Sequence, residues 1–174
     1  LEMSFVEQKD IMGLIEELVI SIAKLAGKKI TTTPFPRVTY KESIEKYGAD
    51  KFDARVNKED PDELAFAWVI DFPVFEKGED GKWTYSHNPF TAPKPEDVKR
   101  FMEGADPATL TSLQYDLVCN GYEAGGGGIR IHDPAVLEKV FETIGHSKEK
   151  IQEQFGHMLE AFTFGVPPHG GIAL

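Results

Sequence analysis

The segment LAFAWVIDFPVF, residues 64–75, constrains the fold of this chain more than any other part of the sequence. It is a nearly unbroken apolar run of strand length, which is typical of a β-strand buried on both faces. Such a strand lies inside a sheet and under covering layers. The remaining elements must supply its partner strands and its cover.

The pattern around this strand predicts an α+β fold with a largely antiparallel sheet and flanking helices. Residues 113–123 and 128–132 are predicted to be the two strands of a hairpin. EKGEDGKW is predicted to be the loop of a second hairpin, which returns through residues 83–86. Helical spacing or helix-start signals occur at residues 6–26, after Thr39, after Lys94, after Asp133 and around Ile151–Phe162, and the terminal GIAL is expected to begin another strand.

Two of these helices have start signals with a clear physical basis. Thr39 and Glu42 have the T-x-x-E spacing of a capping box, in which each side chain accepts from the other residue's backbone N–H. Asp133 followed by Pro134 places an N-cap acid before a proline in the first turn. By contrast, residues 49–63 are polar and charged, which is typical of a surface connection.

Length and composition bound the class of protein. A chain of 174 residues with 41% hydrophobic residues is most simply one globular domain with a sizeable core. Its first thirty residues lack the pattern of a signal peptide, and its apolar runs are too short to span a membrane. A single cysteine, Cys119, excludes an internal disulfide and is typical of a reducing compartment. We therefore expect a cytoplasmic protein without membrane association.

The charge of the chain limits its partners. With 29 acids and 19 bases, the net charge is −10, which excludes nucleic-acid binding through a broad positive surface. A polynucleotide would have to be engaged locally or through polypeptide outside these 174 residues.

The stretch YDLVCNGYEAGGGGIRIHD, residues 115–133, combines a hairpin-like sequence with four consecutive glycines. Gly125–Gly128 match neither a P-loop nor a dinucleotide-binding fingerprint, because the required neighbours and the strand–turn–helix context are absent. Two interpretations remain. The run is either a loose hairpin turn, which is the commoner use, or a backbone without Cβ atoms on which a ligand lies directly.

Three charged residues accompany these glycines. Asp116 and Glu123 are seven residues apart, so a regular strand would point them to opposite faces. They reach one ion only if a bulge or twist intervenes, and otherwise they are two solvent-facing acids. Arg130 lies between two isoleucines, and alternation sends it to the face opposite theirs. A charge there needs a partner, so Arg130 is either salt-bridged or a clamp for a carboxylate.

The remaining candidates are the histidines and the cysteine. His87, in SHNPFTAPK, is either an ordinary surface histidine or part of a site. The other histidines have no metal-ligand spacing, and the chain has no H-E-x-x-H or C-x-x-C, so a zinc site is not expected. Cys119 is interpreted as a packed strand residue rather than a nucleophile.

Taken together and in this order, the motifs closely resemble those of one family, the bacterial-type aspartyl-tRNA synthetases, which are class II enzymes. The resemblance covers essentially the whole chain. The combination of NGYE, GGG, IRIHDP and PPHGG separates it from asparaginyl and lysyl relatives. The matching segments are EMSFV, FPRVTYKESIEKYGADKFD, WVIDFPVFE, HNPFTAPK, YDLVCNGYEAGGGGIRIHD and QFGHMLEAFTFGVPPHGGIAL, in this spacing.

The resemblance implies a class II aminoacyl-tRNA synthetase fold, an antiparallel sheet flanked by helices. It implies that L-aspartate and ATP form aspartyl-adenylate, whose aspartyl group then passes to tRNA. Carried over residue by residue, His87 and Arg130 would bind aspartate, Glu123 would contact ATP, and Asp116 and Glu123 would bind Mg²⁺. ATP and Mg²⁺ are therefore the implied cofactors, and the full-length enzyme is expected to be a homodimer.

The match departs from the family pattern in two respects. A second histidine before PFT is replaced by Asn88, which can form hydrogen bonds but cannot carry charge. The large inserted domain of bacterial members is absent, and residues 54–63 form a short connection in its place. Residues 1–174 are expected to be a partial catalytic domain, from the end of the second class II motif to the start of the third, without the anticodon-binding domain. Such a fragment is predicted to be inactive alone.

Two other functions remain open from the sequence. An ATP-dependent aspartate–ammonia ligase uses a related fold and makes the same adenylate without tRNA, although YGADKFD and PPHGGIAL favour the tRNA enzyme. A non-catalytic class II paralogue would bind an amino acid or a partner protein. The joint presence of Asp116, Glu123, Arg130 and His87 favours an enzyme, because a binding module has no need for metal-binding acids.

Overall fold

The apolar segment that begins at residue 64 contains the strand Phe66–Ile70, which lies between two other strands of the principal sheet. Its side chains alternate between two apolar layers. Trp68 packs on one face, whereas Ala67 and Val69 pack on the other. The prediction of a strand buried on both faces is confirmed. This computed structural model describes all residues 1–174.

Helices and short strands alternate irregularly along the chain. In chain order the elements are β1 (Glu2–Ser4), α1 (Gln8–Leu25), β2 (Lys29–Ile30), β3 (Arg37–Thr39), α2 (Tyr40–Tyr47), β4 (Glu63–Leu64), β5 (Phe66–Ile70), β6 (Phe75–Lys77), β7 (Trp83–Tyr85), α3 (Pro95–Met102), β8 (Gln114–Cys119), β9 (Tyr122–Ile129), α4 (Pro134–Thr143), α5 (Lys148–Thr163) and β10 (His169–Ala173). A 3₁₀ turn, Pro107–Thr109, lies between α3 and β8.

The principal sheet has six strands in the order β1-β10-β9-β8-β5-β3. All neighbouring strands in it are antiparallel except β3 and β5, which are parallel. The pairs β2–β4 and β6–β7 form two small sheets, of which β6–β7 is the predicted second hairpin. The predicted α+β class is confirmed, with a sheet that is mixed rather than purely antiparallel.

Apolar clusters cover the principal sheet unevenly. Helix α1 lies on one face and packs its apolar stripe against β5, β8 and β10. A smaller cluster around Phe52 and Phe72 lies on the opposite face at β5, and a third joins α3, α4 and α5. Around β9 that opposite face carries glycines and polar residues instead. The α1 cluster consists of Ile11, Met12, Ile15, Phe35, Phe66, Trp68, Tyr115, Leu117 and Ile172.

The turn between β8 and β9 is not where the glycine run predicted it. Asn120 and Gly121 form the turn, with positive φ angles of 52° and 90° that suit a tight hairpin. Gly125–Gly128 lie inside β9, where all four pair with β8 and Gly126–Gly128 also pair with β10. The predicted strand bounds, 113–123 and 128–132, are therefore wrong, because the Asn-Gly pair turns the chain before the glycines are reached.

A β-bulge interrupts the pairing of β8 and β9 between Leu117 and Val118. Leu117 lies opposite Gly125 and Val118 lies opposite Glu123, so Ala124 is the extra residue. A shift of one residue reverses the face to which the residues before it point. The bulge needed to bring the two acids of this hairpin to one face is therefore present.

Helices α2 and α4 begin at their sequence signals. At the start of α2, Thr39 Oγ1 accepts from the Glu42 N–H at 3.2 Å, and Glu42 accepts from the Thr39 N–H at 2.9 Å, which is the predicted capping box. Asp133 accepts from the Ala135 N–H at the start of α4. None of the helices is both long and apolar enough to cross a membrane.

The close approach of β9 and β10 predicts a large cost for a side chain at Gly127. A Cβ atom there would lie 2.0 Å from Gly171 O and 2.8 Å from Ile172 Cα, and these backbone atoms have little room to move. Gly127→Ala is expected to lower the free energy of unfolding by about 2 kcal/mol or more, as measured by urea denaturation.

Gly13→Ala is the matched control, because nothing lies within 4 Å of a Cβ atom at this exposed position of α1. Alanine has the higher helix propensity, so this variant is expected to gain about 0.5–1 kcal/mol. Equal unfolding free energies for the two variants would contradict the tight packing of the glycine strand.

Candidate active site

One face of β8 and β9, opposite the face covered by α1, carries the charged residues that the sequence singled out. Asp116 lies opposite Gly126 in the register, so both point to this face. Alternation along the chain adds Gly128 and Arg130, and the bulge adds Glu123. The two acids and the arginine therefore share one face, along a strand whose outward positions between them lack side chains.

The carboxylates of Asp116 and Glu123 flank Gly126. A Cβ atom on Gly126 would lie 3.0 Å from Asp116 Oδ1 and 2.8 Å from Glu123 Oε1. Glycine leaves both carboxylates room at this position. The two acids, seven residues apart in the sequence, are therefore neighbours in space.

Asp116 is almost fully buried, with 2% of its side chain exposed. Its Oδ1 accepts a hydrogen bond of 2.8 Å from Gln114 Nε2. Its Oδ2 makes no hydrogen bond and lies 3.4 Å from His87 Nε2, which is ion-pair distance when the histidine is protonated. A buried carboxylate oxygen without a donor is costly, so this atom is available to a cation.

His87 lies between the acid pair and the apolar cluster at β5. Its ring packs edge-on against Phe72, with ring centroids 4.6 Å apart. The Asp116 carboxylate raises the pKa of His87 above its ordinary value, against the opposing effect of burial. The protonated imidazole neutralises part of the charge of the acids.

Glu123 is more exposed than Asp116 and is paired with a lysine from a distant part of the chain. Lys51 Nζ lies 2.8 Å from Glu123 Oε2. This hydrogen bond raises the pKa of Lys51, so its ammonium group is charged at neutral pH. The acid pair therefore lies between Lys51 on one side and His87 on the other.

Arg130 is salt-bridged at the other end of this face. Its Nε and Nη2 donate to Glu2 Oε1 and Oε2, both at 3.0 Å, in a bidentate pair. The hydrogen bonds from Arg130 lower the pKa of Glu2. The side chain of Glu2 crosses β10 at Gly171, where a Cβ atom would lie 2.0 Å from Glu2 Oε2. Gly171 thus gives Glu2 the space to reach Arg130 from β1.

Arg130 does not touch the acid pair. It follows Gly126 by four residues, so about 13 Å of strand separates the two groups. Gly128 lies between them, and the side chain of Thr91 takes the space of its Cβ atom, with Oγ1 at 2.8 Å. The face therefore has a carboxylate end and a guanidinium end, rather than one point at which all three charged groups meet.

Asn88, where the family pattern has a second histidine, fixes a turn. Its Oδ1 accepts from the N–H groups of Phe90 and Thr91, at 2.9 and 3.1 Å. These bonds hold the segment that brings His87 to the acids and Thr91 to Gly128. The asparagine therefore has a structural contact that needs no charge.

Three residues of this site are not among the predicted ones: Glu2, Gln114 and Lys51. Gln114 had a signal, since it precedes Asp116 by two residues and alternation sends both to one face. Glu2 and Lys51 had none, because each contacts a partner far along the chain.

The acid pair offers oxygen ligands of the kind that Mg²⁺ prefers. Asp116 and Glu123 offer hard carboxylate oxygens, and Asp116 Oδ2 has no donor of its own. No group of three or more acids, histidines or cysteines forms a ligand cage. Mg²⁺ is commonly held by one or two carboxylates, with waters and phosphates completing its shell, which agrees with this donor set.

Comparison with known proteins gives the family. The family model described as tRNA synthetases class II (D, K and N) matches residues 1–174, the whole chain. The chain belongs to this family. The resemblance drawn from the sequence motifs is thereby confirmed.

The sequence relatives of this class II synthetase chain include two aspartate–tRNA ligases. One, an aspartate–tRNA(Asp/Asn) ligase of Dehalococcoides mccartyi, is 51% identical over 121 residues, which is 69% of the chain and 20% of that relative. Another, an aspartate–tRNA ligase of Enterococcus faecalis, is 50% identical over 116 residues, which is 66% of the chain and 19% of that relative. The chain spans about a fifth of the length of the curated relatives it matches.

Solved structures agree with the class II synthetase fold. An aspartyl-tRNA synthetase from Entamoeba histolytica matches with a TM-score of 0.65 and 23% identity, over 98% of this chain and 36% of that one. An asparaginyl-tRNA synthetase from Pyrococcus horikoshii matches with a TM-score of 0.62 and 19% identity, over 98% of this chain and 41% of that one. At these identities the likeness shows the fold alone.

The contact with Asp116 predicts how His87 titrates in the metal-free protein. The pKa of His87 is expected to lie above about 6.5, and Asp116→Asn is expected to lower it, because the carboxylate favours the imidazolium. Nuclear magnetic resonance titration of the ring protons measures both values.

The same contact gives a pH dependence of stability. Because folding raises the pKa of His87, its contribution to the free energy of unfolding is fully present below about pH 6.5 and is lost as the pH rises through the folded-state pKa. A His87 pKa below about 6.5, or one that does not respond to Asp116→Asn, would contradict the contact.

Proposed function

We propose that residues 1–174 are part of the catalytic domain of an aspartate–tRNA ligase. In this proposal the chain runs from the end of the second class II motif to the start of the third, and the anticodon-binding domain lies elsewhere in the protein. The observation that carries it is the face of β8 and β9, with two acids at one end, an arginine already bound to a carboxylate at the other, and a glycine strand between. Relatives named aspartate–tRNA ligases, at about half identity, support it.

The proposed reaction joins two anions. The α-carboxylate of L-aspartate attacks the α-phosphate of ATP, which forms aspartyl-adenylate and releases pyrophosphate. A hydroxyl of the terminal ribose of tRNA then attacks the carbonyl carbon of the adenylate, which forms the aspartyl ester and releases AMP. Because both first reactants are negatively charged, the site has to position them and neutralise charge rather than transfer protons.

Arg130 would bind the side-chain carboxylate of aspartate. Glu2 occupies its Nε and Nη2 edge, which leaves the Nη1 hydrogens and one Nη2 hydrogen for a second carboxylate. Glu2 thereby fixes the plane of the guanidinium before the substrate arrives. Asparagine would present amide donors to this fork, and a mismatch of that kind can reduce kcat/KM by roughly 10⁴-fold.

Asp116 and Glu123 would hold the Mg²⁺ that accompanies ATP, and Glu123 would contact ATP itself. When bound, the ion would supply positive charge to the phosphates. The separation of this acid pair from Arg130 agrees with a ligand that lies along β9, with its amino-acid part at one end and its phosphates at the other. Without a side chain at Gly126, such a ligand can approach the backbone closely.

His87 would close over the bound aspartate. In the structure it contacts Asp116 rather than Arg130, so this role requires that His87 exchange the carboxylate of Asp116 for that of the substrate. The hydrogen-bonded turn at Asn88 gives the segment a fixed base from which the ring can move.

The wider partners belong to the same proposal. The whole protein would bind tRNA mainly through regions outside residues 1–174, because the net charge of −10 gives this chain no broad positive surface. It would act as a homodimer in the cytoplasm, with L-aspartate and ATP as its small substrates.

Two assays on the full-length protein test this function. Aspartate-dependent ATP–pyrophosphate exchange detects the adenylate. Aminoacylation of tRNA separates a tRNA ligase from an aspartate–ammonia ligase, which makes the same adenylate. Exchange without aminoacylation would reject the proposed function, and the absence of both would favour a non-catalytic paralogue.

Replacement of the arginine tests the clamp. Arg130→Ala in the full-length protein is expected to lower kcat/KM for aspartate by about 30-fold or more, which corresponds to about 2 kcal/mol of transition-state binding. Arg37→Ala, at an exposed position on the edge strand β3, is the matched control and should leave kcat/KM unchanged. Unchanged aspartate kinetics in Arg130→Ala would reject the clamp.

The 174-residue chain alone is expected to catalyse exchange at least about 10²-fold more slowly than the full-length protein. The cations of this face already have acidic partners, since Arg130 pairs with Glu2 and Lys51 pairs with Glu123. In this proposal, cationic groups elsewhere in the full-length protein supply most of the charge that neutralises the phosphates of ATP. Exchange by the isolated chain at nearly the full-length rate would contradict this expectation.

A further inference from the structure

Lys51 brings a cation to the acid pair, and the proposed reaction gives it no role. Its Nζ lies 2.8 Å from Glu123 Oε2. A lysine side chain has an ordinary pKa of about 10.4, so it is protonated at neutral pH. The ammonium group therefore stays charged while it lies against the acids.

The backbone around Lys51 is fixed against the β8–β9 hairpin. Phe52 is buried and stacks on Tyr47, with ring centroids 4.1 Å apart. The carbonyl of Phe52 accepts a hydrogen bond of 3.0 Å from the N–H of Gly121, in the hairpin turn. Lys51 is thus attached to the same turn that leads to Glu123, and its reach to that carboxylate is built into the fold.

The ammonium group and a metal ion would use the same carboxylate. Glu123 Oε1 lies over Gly126 beside Asp116, whereas Oε2 contacts Lys51. A divalent ion between the two acids would lie a few ångströms from the ammonium nitrogen, and two cations at that separation repel each other. The acid pair can therefore bind either the Lys51 ammonium group or the metal ion strongly, but not both at once.

The ion pair between Lys51 and Glu123 is easily broken. The side chains are 46% and 39% exposed, and ion pairs with such exposure contribute little to stability. Lysine also has a long flexible stem, so its ammonium can leave Glu123 without a change in the fold. The contact has the properties of a reversible partner rather than a structural anchor.

We propose that Lys51 is an internal counter-cation that competes with free divalent metal for the Asp116–Glu123 pair. Free metal would then bind weakly, and metal that arrives with a polyphosphate would bind well, because the phosphates give the displaced ammonium group a new partner. Only the statement about metal that arrives with a polyphosphate rests on the proposed function. The competition itself concerns the nucleotide-free chain.

Mn²⁺ binding to the nucleotide-free 174-residue chain tests the competition. The electron paramagnetic resonance signal of free Mn²⁺ reports the bound fraction. Lys51→Met is expected to bind Mn²⁺ roughly tenfold more tightly than the wild type or better, because a positive charge beside the ion is removed. Lys51→Gln should give a gain in the same direction with a polar side chain in place.

Two controls locate the effect. Lys150→Met removes the same charge at an exposed position of α5 and should bind Mn²⁺ like the wild type. Glu123→Gln introduced into Lys51→Met should abolish the gain, because it removes one of the two ligands. Far-ultraviolet circular dichroism and urea midpoints check that each variant is folded.

Three outcomes would overturn the proposal: Mn²⁺ affinity that Lys51→Met leaves unchanged or weakens, a gain that Lys150→Met reproduces, or a gain that survives Glu123→Gln. None of them depends on catalysis. If the full-length protein failed to exchange pyrophosphate while the Mn²⁺ gain appeared, the proposed function would fail and the competition would stand. If the full-length protein exchanged pyrophosphate but Lys51→Met gained no Mn²⁺ affinity, only the proposed role of Lys51 would be rejected.

Discussion

The β-bulge at Ala124 is the constraint on which the candidate site depends. One extra residue in β9 reverses the alternation, so Glu123 points to the same face as Asp116 instead of to the α1 side of the sheet. Without it, Glu123 would point its charge toward the face covered by the apolar α1 cluster. The same hairpin carries Arg130, so a local irregularity of one residue decides whether the charges of this face can act on one ligand.

The glycines of β9 and β10 are the second requirement of the candidate site, because side chains of other residues occupy the space that their missing Cβ atoms leave. The acids lie over Gly126, Thr91 lies over Gly128, and Glu2 passes over Gly171 to reach Arg130. Gly127 instead brings two backbones together. The glycine run is therefore neither a loose turn nor an empty surface. Together with Gly171 it lets groups from three other segments, which carry Asp116, Thr91 and Glu2, reach one sheet face. This explains why a run that looks flexible in sequence is a regular paired strand.

The sequence predicted most elements of the fold, but it contains few signals for the contacts of the candidate site. Apolar periodicity located α1 and β5, and the cap pair Thr39 and Glu42 located α2, because these signals act over a few residues. The turn of the hairpin lies before the glycine run that predicted it, because Asn120 and Gly121 have the stronger turn geometry. The contacts of Glu2 and Lys51 are set by strand order and chain packing, which no local pattern records. The spacing of Asp116 and Glu123 makes a bulge necessary for a shared site, but only the strand register shows that the bulge exists.

The shared ligand face of β8 and β9 is tested most directly by a crystal structure of the full-length protein with a non-hydrolysable sulfamoyl analogue of aspartyl-adenylate. We expect the aspartyl side-chain carboxylate to accept hydrogen bonds from Arg130 on the edge that Glu2 leaves open. We also expect the nucleotide to lie along the outward face of β9 towards Asp116 and Glu123. An analogue bound on the α1 face, or one whose carboxylate has no contact with Arg130, would contradict the proposed site.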